Sequence, residues 1–189
     1  VHEEWETGNL LKHIKVRHGD VEKGFAEADV IVENEYRTPT YEHMFLEPEC
    51  SIGVPAGYDE YHAKLTVYVG SQIPYADRNQ VSAAMGLAPT DVRIRGTIIG
   101  GGFGGKEDIM AQIHAAMLAD VTGRPVKVLY DRRESMMADS KRHATVIRLK
   151  TGAKKDGTLT AVQAELEGDA GAYASLSEAV MTRATTHAT

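Results

Sequence analysis

Residues 100–107 read Gly-Gly-Gly-Phe-Gly-Gly-Lys-Glu, and five of these eight positions are glycine. Without a Cβ, such positions can take φ > 0 and bring backbone N–H groups close to a ligand. The block follows an apolar, strand-like run containing Val92, Ile94, Ile98 and Ile99. It precedes a run in which Ile109, Ile113, Ala116, Met117 and Val121 recur at helical spacing. A glycine turn between strand and helix is a natural anion cradle, because free amides and the positive helix end point the same way. The block therefore predicts a bulky, anionic ligand at Gly102–Gly105.

Two phosphate motifs fit the block in part. Gly100, Gly105 and Lys106 match the start of a P-loop, but that loop needs Ser or Thr next and this chain has Glu107, whose carboxylate would face the phosphate charge. Gly100, Gly102 and Gly105 match the dinucleotide fingerprint, which also needs an acid about 20 residues on, at the end of a second parallel strand. Asp120 falls inside the helical run, and Asp131 lies 26 residues after Gly105. A nucleotide-binding module built on Gly100–Gly105 is therefore the weaker alternative.

Along the chain, residues 1–19 read as a polar linker or N-terminal arm, and 20–189 as a partial domain. Asp20 caps a short helix over Asp20–Ala28, and Val30–Tyr36 alternates like a strand. Cys50–Val54 and Lys64–Val69 read as two more strands. Pro74 suits the first turn of a helix running to Met85, with Gly86 as its stop and Val81, Ala84 and Met85 facing inward. Val126–Tyr130 reads as a buried strand. Thr145–Lys150 and Thr158–Leu166 flank the turn signal Lys155-Asp156-Gly157, with Val162, Ala164 and Leu166 on a dry face. Runs of strands with helices between them give an α+β class, a mixed β-sheet with helices packed on it. Ala184–Thr189 closes no element, which reads as a truncation.

Composition excludes several classes. Net charge is −6, from 21 basic and 27 acidic residues, and the short knot Lys141-Arg142-His143 is no nucleic-acid surface. Cys50 is the only cysteine, so no internal disulfide or Cys-based cluster can form. Eight histidines include no H-E-x-x-H pair, and His43 and His114 read as packing or surface residues. No apolar run approaches the roughly 18 residues of a membrane span. The acidic N-terminus lacks a signal-peptide core, so a cytoplasmic location is expected.

The glycine block resembles the signature of the xanthine dehydrogenase and aldehyde oxidoreductase family, the molybdenum hydroxylases. Four further stretches are similar in order and spacing: Glu42-His43-Met44-Phe45-Leu46-Glu47-Pro48-Glu49, then Val69-Gly70-Ser71-Gln72, then Gly123-Arg124-Pro125-Val126 with Asp131-Arg132, then Arg142-His143 with Asp169-Ala170-Gly171-Ala172-Tyr173. The resemblance runs from about Asp20 to the C-terminus, and implies the first part of a molybdenum-cofactor-binding domain.

Such an enzyme hydroxylates an electron-poor carbon of a purine-like N-heterocycle or an aldehyde, using water. Its cofactor is molybdenum on molybdopterin. The 2Fe-2S and FAD centres that take the electrons are expected on other domains or subunits. By resemblance, Gln72 hydrogen-bonds an oxygen ligand of molybdenum, and Gly102, Phe103, Gly104 and Gly105 border the cofactor. The Gly104 N–H would reach a metal-bound oxygen, and the Phe103 ring would form an apolar wall shared with substrate. Glu107 would contact the heterocycle; alternatively, Glu107 and Asp108 are simply acids in a helix's first turn, favoured there by the dipole. Glu47 and Glu49 read as a strand edge rather than an acid–base pair. No residue here binds metal directly, and none matches the family's catalytic glutamate. The remainder of the large subunit is the implied partner, and the fragment alone is expected to be inactive; a non-catalytic structural or assembly subunit is the other alternative.

Overall fold

A computed structural model describes residues 8–187; residues 1–7, which open the predicted arm, and residues 188–189 lie outside the described residues. The elements are α1 (Val21–Ala26), β1 (Val30–Thr38), β2 (Cys50–Pro55), β3 (Leu65–Val69), α2 (Pro74–Met85), β4 (Val92–Gly96), α3 (Gln112–Thr122), β5 (Val126–Leu129), α4 (Arg132–Ala138), β6 (Thr145–Ala153), β7 (Leu159–Gly168) and α5 (Ser177–Thr186). They form two compact units, one of residues 42–142 and one of the flanking segments. Among the described residues, no helix is long and apolar enough to cross a membrane.

The central unit is built on a four-stranded mixed sheet in the order β4-β3-β2-β5. β3 and β4 run parallel, joined through α2, while β2 pairs antiparallel with both β3 and β5. Leu65, Val67 and Val69 alternate onto the face that meets the helices, as a period of two requires. They join Val81 of α2, Val92 of β4, and Ala116 and Ala119 of α3 in one buried cluster. Each fully buried valine there contributes about 1.5–3 kcal/mol. Pro74 opens α2, and Gly86 closes it at φ 65°, both as the sequence implies. Ala84, expected inside, is exposed, because Val81 and Ser82 take the buried face.

Helix α3 differs more from expectation. It starts at Gln112, so Ile109 lies before it. Its buried positions are Gln112, Ala115, Ala116 and Ala119, while Met117 and Val121 face outward. The cause is close approach to β2. A Cβ at Gly53 would overlap the Ala115 carbonyl oxygen and lie 2.6 Å from the Ala115 carbonyl carbon. Only small side chains fit between backbones this near. Strand β5 is an edge strand with alternate residues half-buried, not the buried strand predicted.

The flanking unit is an antiparallel sheet in the order β1-β6-β7. The β6–β7 hairpin turns at Gly157, φ 92°, where the Lys-Asp-Gly signal stands. Arg148, in the middle strand, pairs with Glu35 of β1 and with Glu165 and Glu167 of β7. The predicted dry face is not dry: Val162 and Ala164 are exposed. Helix α1 instead covers the opposite side at one end, where Ala161 is buried and Gly152 leaves room for the Phe25 ring. Of the C-terminal run read as closing no element, Ala184–Thr186 are the last residues of α5.

Candidate functional site

The glycine block lies within the central unit, beyond the end of β4. Strand β3 ends at Val69, and Gly70 and Ser71 lead to Gln72. The Ile73 N–H donates to Ser71 Oγ at 2.9 Å, which turns the chain into α2 and fixes Gln72 at the bend. The Gln72 N–H donates to the Lys106 carbonyl at 3.0 Å. Its side-chain Oε1 accepts from the N–H groups of Gly104, at 3.1 Å, and Lys106, at 3.2 Å. Two backbone donors on one oxygen settle the orientation of the amide. The Nε2 group then faces outward as a donor and reaches Glu107 Oε1 at 3.4 Å.

Within the loop, Gly105 N–H bonds the Gly102 carbonyl at 2.8 Å, and Glu107 N–H bonds the Gly104 carbonyl at 3.2 Å. Gly101, Phe103 and Gly104 all have positive φ, at 109°, 58° and 96°. Gly102 between them does not. The consecutive left-handed pair Phe103–Gly104 forms the tight turn that the Gly105–Gly102 bond closes. A left-handed phenylalanine costs on the order of 1 kcal/mol, strain of the kind that collects at ligand sites. The Phe103 ring folds back over Gly101 yet is 62% exposed. Among the described residues, the N–H groups of Gly101, Gly102 and Phe103 have no hydrogen-bond partner.

Gln72, Gly102, Phe103, Gly104, Gly105 and Glu107 are therefore brought together. One detail departs from expectation: the Gly104 N–H bonds Gln72, and the unpartnered amides lie one to three residues earlier. A second departure concerns the helix. The loop ends in a single 3-10 turn, Gly105–Glu107, and α3 begins only at Gln112. Glu107 and Asp108 thus occupy no first turn of α3, and the helix end does not serve the glycine amides. The nucleotide reading falls with this. Its fingerprint needs the glycine turn to enter a helix that leads to an adjacent parallel strand. The strand after α3 is β5, which lies at the sheet edge opposite β4.

The floor of the loop comes from segment 42–49. Phe45 is buried, and both its ring and the His43 ring stand where a Cβ on Gly105 would lie, at 2.8 and 2.9 Å. His43, which the sequence suggests is a packing residue, touches the loop; burial lowers its pKa, and its Nδ1 has no partner among the described residues. The signal that could have placed it was the resemblance of the whole Glu42–Glu49 run. Glu47 binds Lys106 Nζ and the Gly100 N–H. The strand-edge reading of Glu47 is thus corrected: its carboxylate is engaged in the loop.

Beneath lies a set of buried acids. Glu49 is 3% exposed, with Oε1 unpartnered among the described residues; burial, then the charge of Asp139, pushes its pKa up to about 7. Burial also raises Asp77 and Asp139. The unfolded chain releases the Glu49 proton near the ordinary value of 4.5, whereas the fold holds it to about 7. Stability is therefore expected to fall as pH rises through that window. Glu49→Gln should flatten the change, read as urea midpoints at about pH 5 and about pH 8. An unaltered pH dependence in the variant would count against a protonated Glu49.

The loop fits an oxygen-rich anionic group of the molybdopterin kind. Three successive unpartnered amides suit its oxygens, the Gln72 amide adds a neutral donor, and the exposed Phe103 ring offers an apolar edge.

The molybdopterin cofactor-binding domain family matches the chain over residues 1–189. The nicotinate dehydrogenase large molybdopterin subunit of Eubacterium barkeri is 45% identical over 177 residues, covering 94% of this chain and 40% of that protein. A probable xanthine dehydrogenase subunit of Bacillus subtilis is 38% identical over 183 residues, covering 97% of this chain and 24% of that protein. Among solved structures, the aldehyde oxidoreductase of Desulfovibrio gigas superposes with a TM-score of 0.75 at 27% identity, over 87% of this chain and 18% of that one. The chain thus spans less than half the length of the proteins it matches. With the glycine loop, the Gln72 bend and the α+β fold in agreement, the chain belongs to the molybdopterin cofactor-binding domain family of the xanthine dehydrogenase and aldehyde oxidoreductase group.

Proposed function

We propose that this chain is the part of a molybdenum hydroxylase that borders the cofactor at Gly101–Gly105 and one side of an N-heterocyclic substrate at Phe103 and Glu107. The molybdenum–molybdopterin group, when bound, supplies the two-electron oxidation that places a water-derived oxygen on an electron-poor ring carbon. The chain's own residues do the holding. The amides of Gly101, Gly102 and Phe103 donate to oxygens of the group, and Gln72 offers its Nε2 donor without adding charge. Phe103 supplies a flat wall that excludes water and fits an aromatic ring.

The observation that carries the substrate class is Glu107. Its carboxylate is tied to the Gln72 amide at 3.4 Å, in the same loop as the exposed Phe103 ring, and stands outside the first turn of α3. A carboxylate there can accept from a ring N–H of a purine-like heterocycle. A relative named for xanthine, a heterocycle that carries ring N–H groups, supports this over a simple aldehyde. In the parent enzyme, Glu107→Gln is expected to lower kcat/KM for a heterocycle by about tenfold more than for a simple aldehyde, since an aldehyde has no ring N–H to meet it. Equal losses on both would remove the substrate role.

The reading assigns the catalytic base and further pterin contacts to the remainder of the large subunit, and 2Fe-2S and FAD centres to other domains or subunits. The single cysteine suits a reducing compartment such as the cytoplasm.

A further inference from the structure

Glu47 makes contacts at both ends of the glycine loop. At the start, the Gly100 N–H donates to both carboxylate oxygens, at 2.9 and 2.8 Å. At the end, Lys106 Nζ bonds Glu47 Oε1. Lys106 is only 3% exposed and lies over the Phe45 ring, 4.5 Å from its centroid. A buried ammonium must find an anion, and Glu47 is the one it bonds. Burial works against the charged Glu47, but the bonds from Lys106 and Gly100 more than offset it and hold the carboxylate below its ordinary range.

The neighbouring backbone joins the same contact. Leu46 N–H donates to the Gly100 carbonyl at 3.3 Å, and the Leu46 carbonyl accepts from Arg132 at 2.6 Å. A Cβ at Gly100 would overlap Glu47 Oε2 and lie 2.8 Å from Leu46 Cβ, so the approach requires glycine. Between Gly100 and Lys106 the chain makes its left-handed excursion through Gly101, Phe103 and Gly104. A loop this rich in glycine has many alternatives, and holding it in one of them costs backbone entropy.

We propose that Glu47 is a positioning residue: its carboxylate clasps Gly100 and Lys106 together, and so holds the arc in which the Gly101, Gly102 and Phe103 amides are left without partners. The clasp acts on the loop whether or not a ligand is bound. Its use, presenting those amides to the cofactor, rests on the function proposed above.

The test takes the full-length parent protein in its cofactor-free form and reads amide hydrogen exchange by segment. Glu47→Gln keeps the size of the side chain and removes its charge. Exchange over residues 100–107 is expected to rise by about tenfold or more, while β3 and α3 stay as protected as before. Lys106→Gln attacks the clasp from the other end and should loosen the same segment. The double variant should be no looser than the worse single one, because both changes break one interaction. Unchanged exchange over 100–107 in both single variants would overturn the clasp. So would a loss of protection spread evenly over the sheet, the mark of general destabilisation. Bound molybdenum and pterin are then measured on the reconstituted variants. A loosened loop with full cofactor content leaves the clasp standing and removes the cofactor role of the loop. A rigid loop removes the clasp and leaves the cofactor role untouched.

Discussion

Gly53→Val is expected to unfold the central unit. A Cβ at that position would lie 2.6 Å from the Ala115 carbonyl carbon and 3.0 Å from the Ala116 nitrogen, and would overlap the Ala115 oxygen. These are backbone atoms of α3, so no rotamer change can clear them. The helix would have to lift from β2, and Ala116 and Ala119 would leave the cluster they share with Leu65, Val67, Val69, Val81 and Val92. Overpacking of this kind costs about 3 kcal/mol or more. That is a large part of the roughly 5–15 kcal/mol that holds a typical domain. Even Gly53→Ala should lower the urea midpoint clearly. Gly96→Ala is the control, since a Cβ there meets nothing within 4 Å and its φ is not positive. Equal midpoints for the two alanine variants would refute the close contact.

Gln72→Ala should have the largest effect on chemistry. It removes the acceptor that holds the Gly104 and Lys106 amides and the Nε2 donor beside Glu107. In the parent enzyme, loss of one such donor is expected to lower kcat by about 100-fold, with KM changed far less. Gln72→Glu separates the two parts of the effect. It keeps an acceptor for the loop amides and deletes the donor, so turnover should fall while loop exchange stays slow. Molybdenum content must be read alongside, to separate lost cofactor from lost turnover. Undiminished turnover in Gln72→Ala would strip Gln72 of its role. A further route reaches the same contact from the loop: a Cβ on Gly102 would lie 2.6 Å from Gln72 Cδ, so Gly102→Ala would displace the same amide.

Much of this is legible in the residues. Pro74 and Gly86 bracket α2, and the Lys-Asp-Gly turn fixes the β6–β7 hairpin, because these signals are local. The glycine block and Gln72 point to one site although 30 residues separate Gln72 from Gly102. The misreadings have physical causes. The largest apolar residues of α3 suggest its inner face, yet the contact at Gly53 admits only alanines, so Met117 and Val121 point outward. Its periodicity reaches back toward the glycines, whereas the loop closes first in its own 3-10 turn. Helix α4 is missed by apolar periodicity, although Asp131 and Glu134 form a full capping box, a pattern visible as Asp-x-x-Glu. The roles of Glu47 and His43 depend on side chains meeting across a distance in sequence, and no local periodicity reports that.

The pairing of Lys106 with Glu47 also bears on how an anion could be held by a chain whose net charge is −6. The loop's own cation is already neutralised, so a guest at Gly101–Phe103 meets amide dipoles and an aromatic edge. Attraction of that kind is short in range and directional. It would select by shape rather than by charge, and ordinary salt would do little to weaken it.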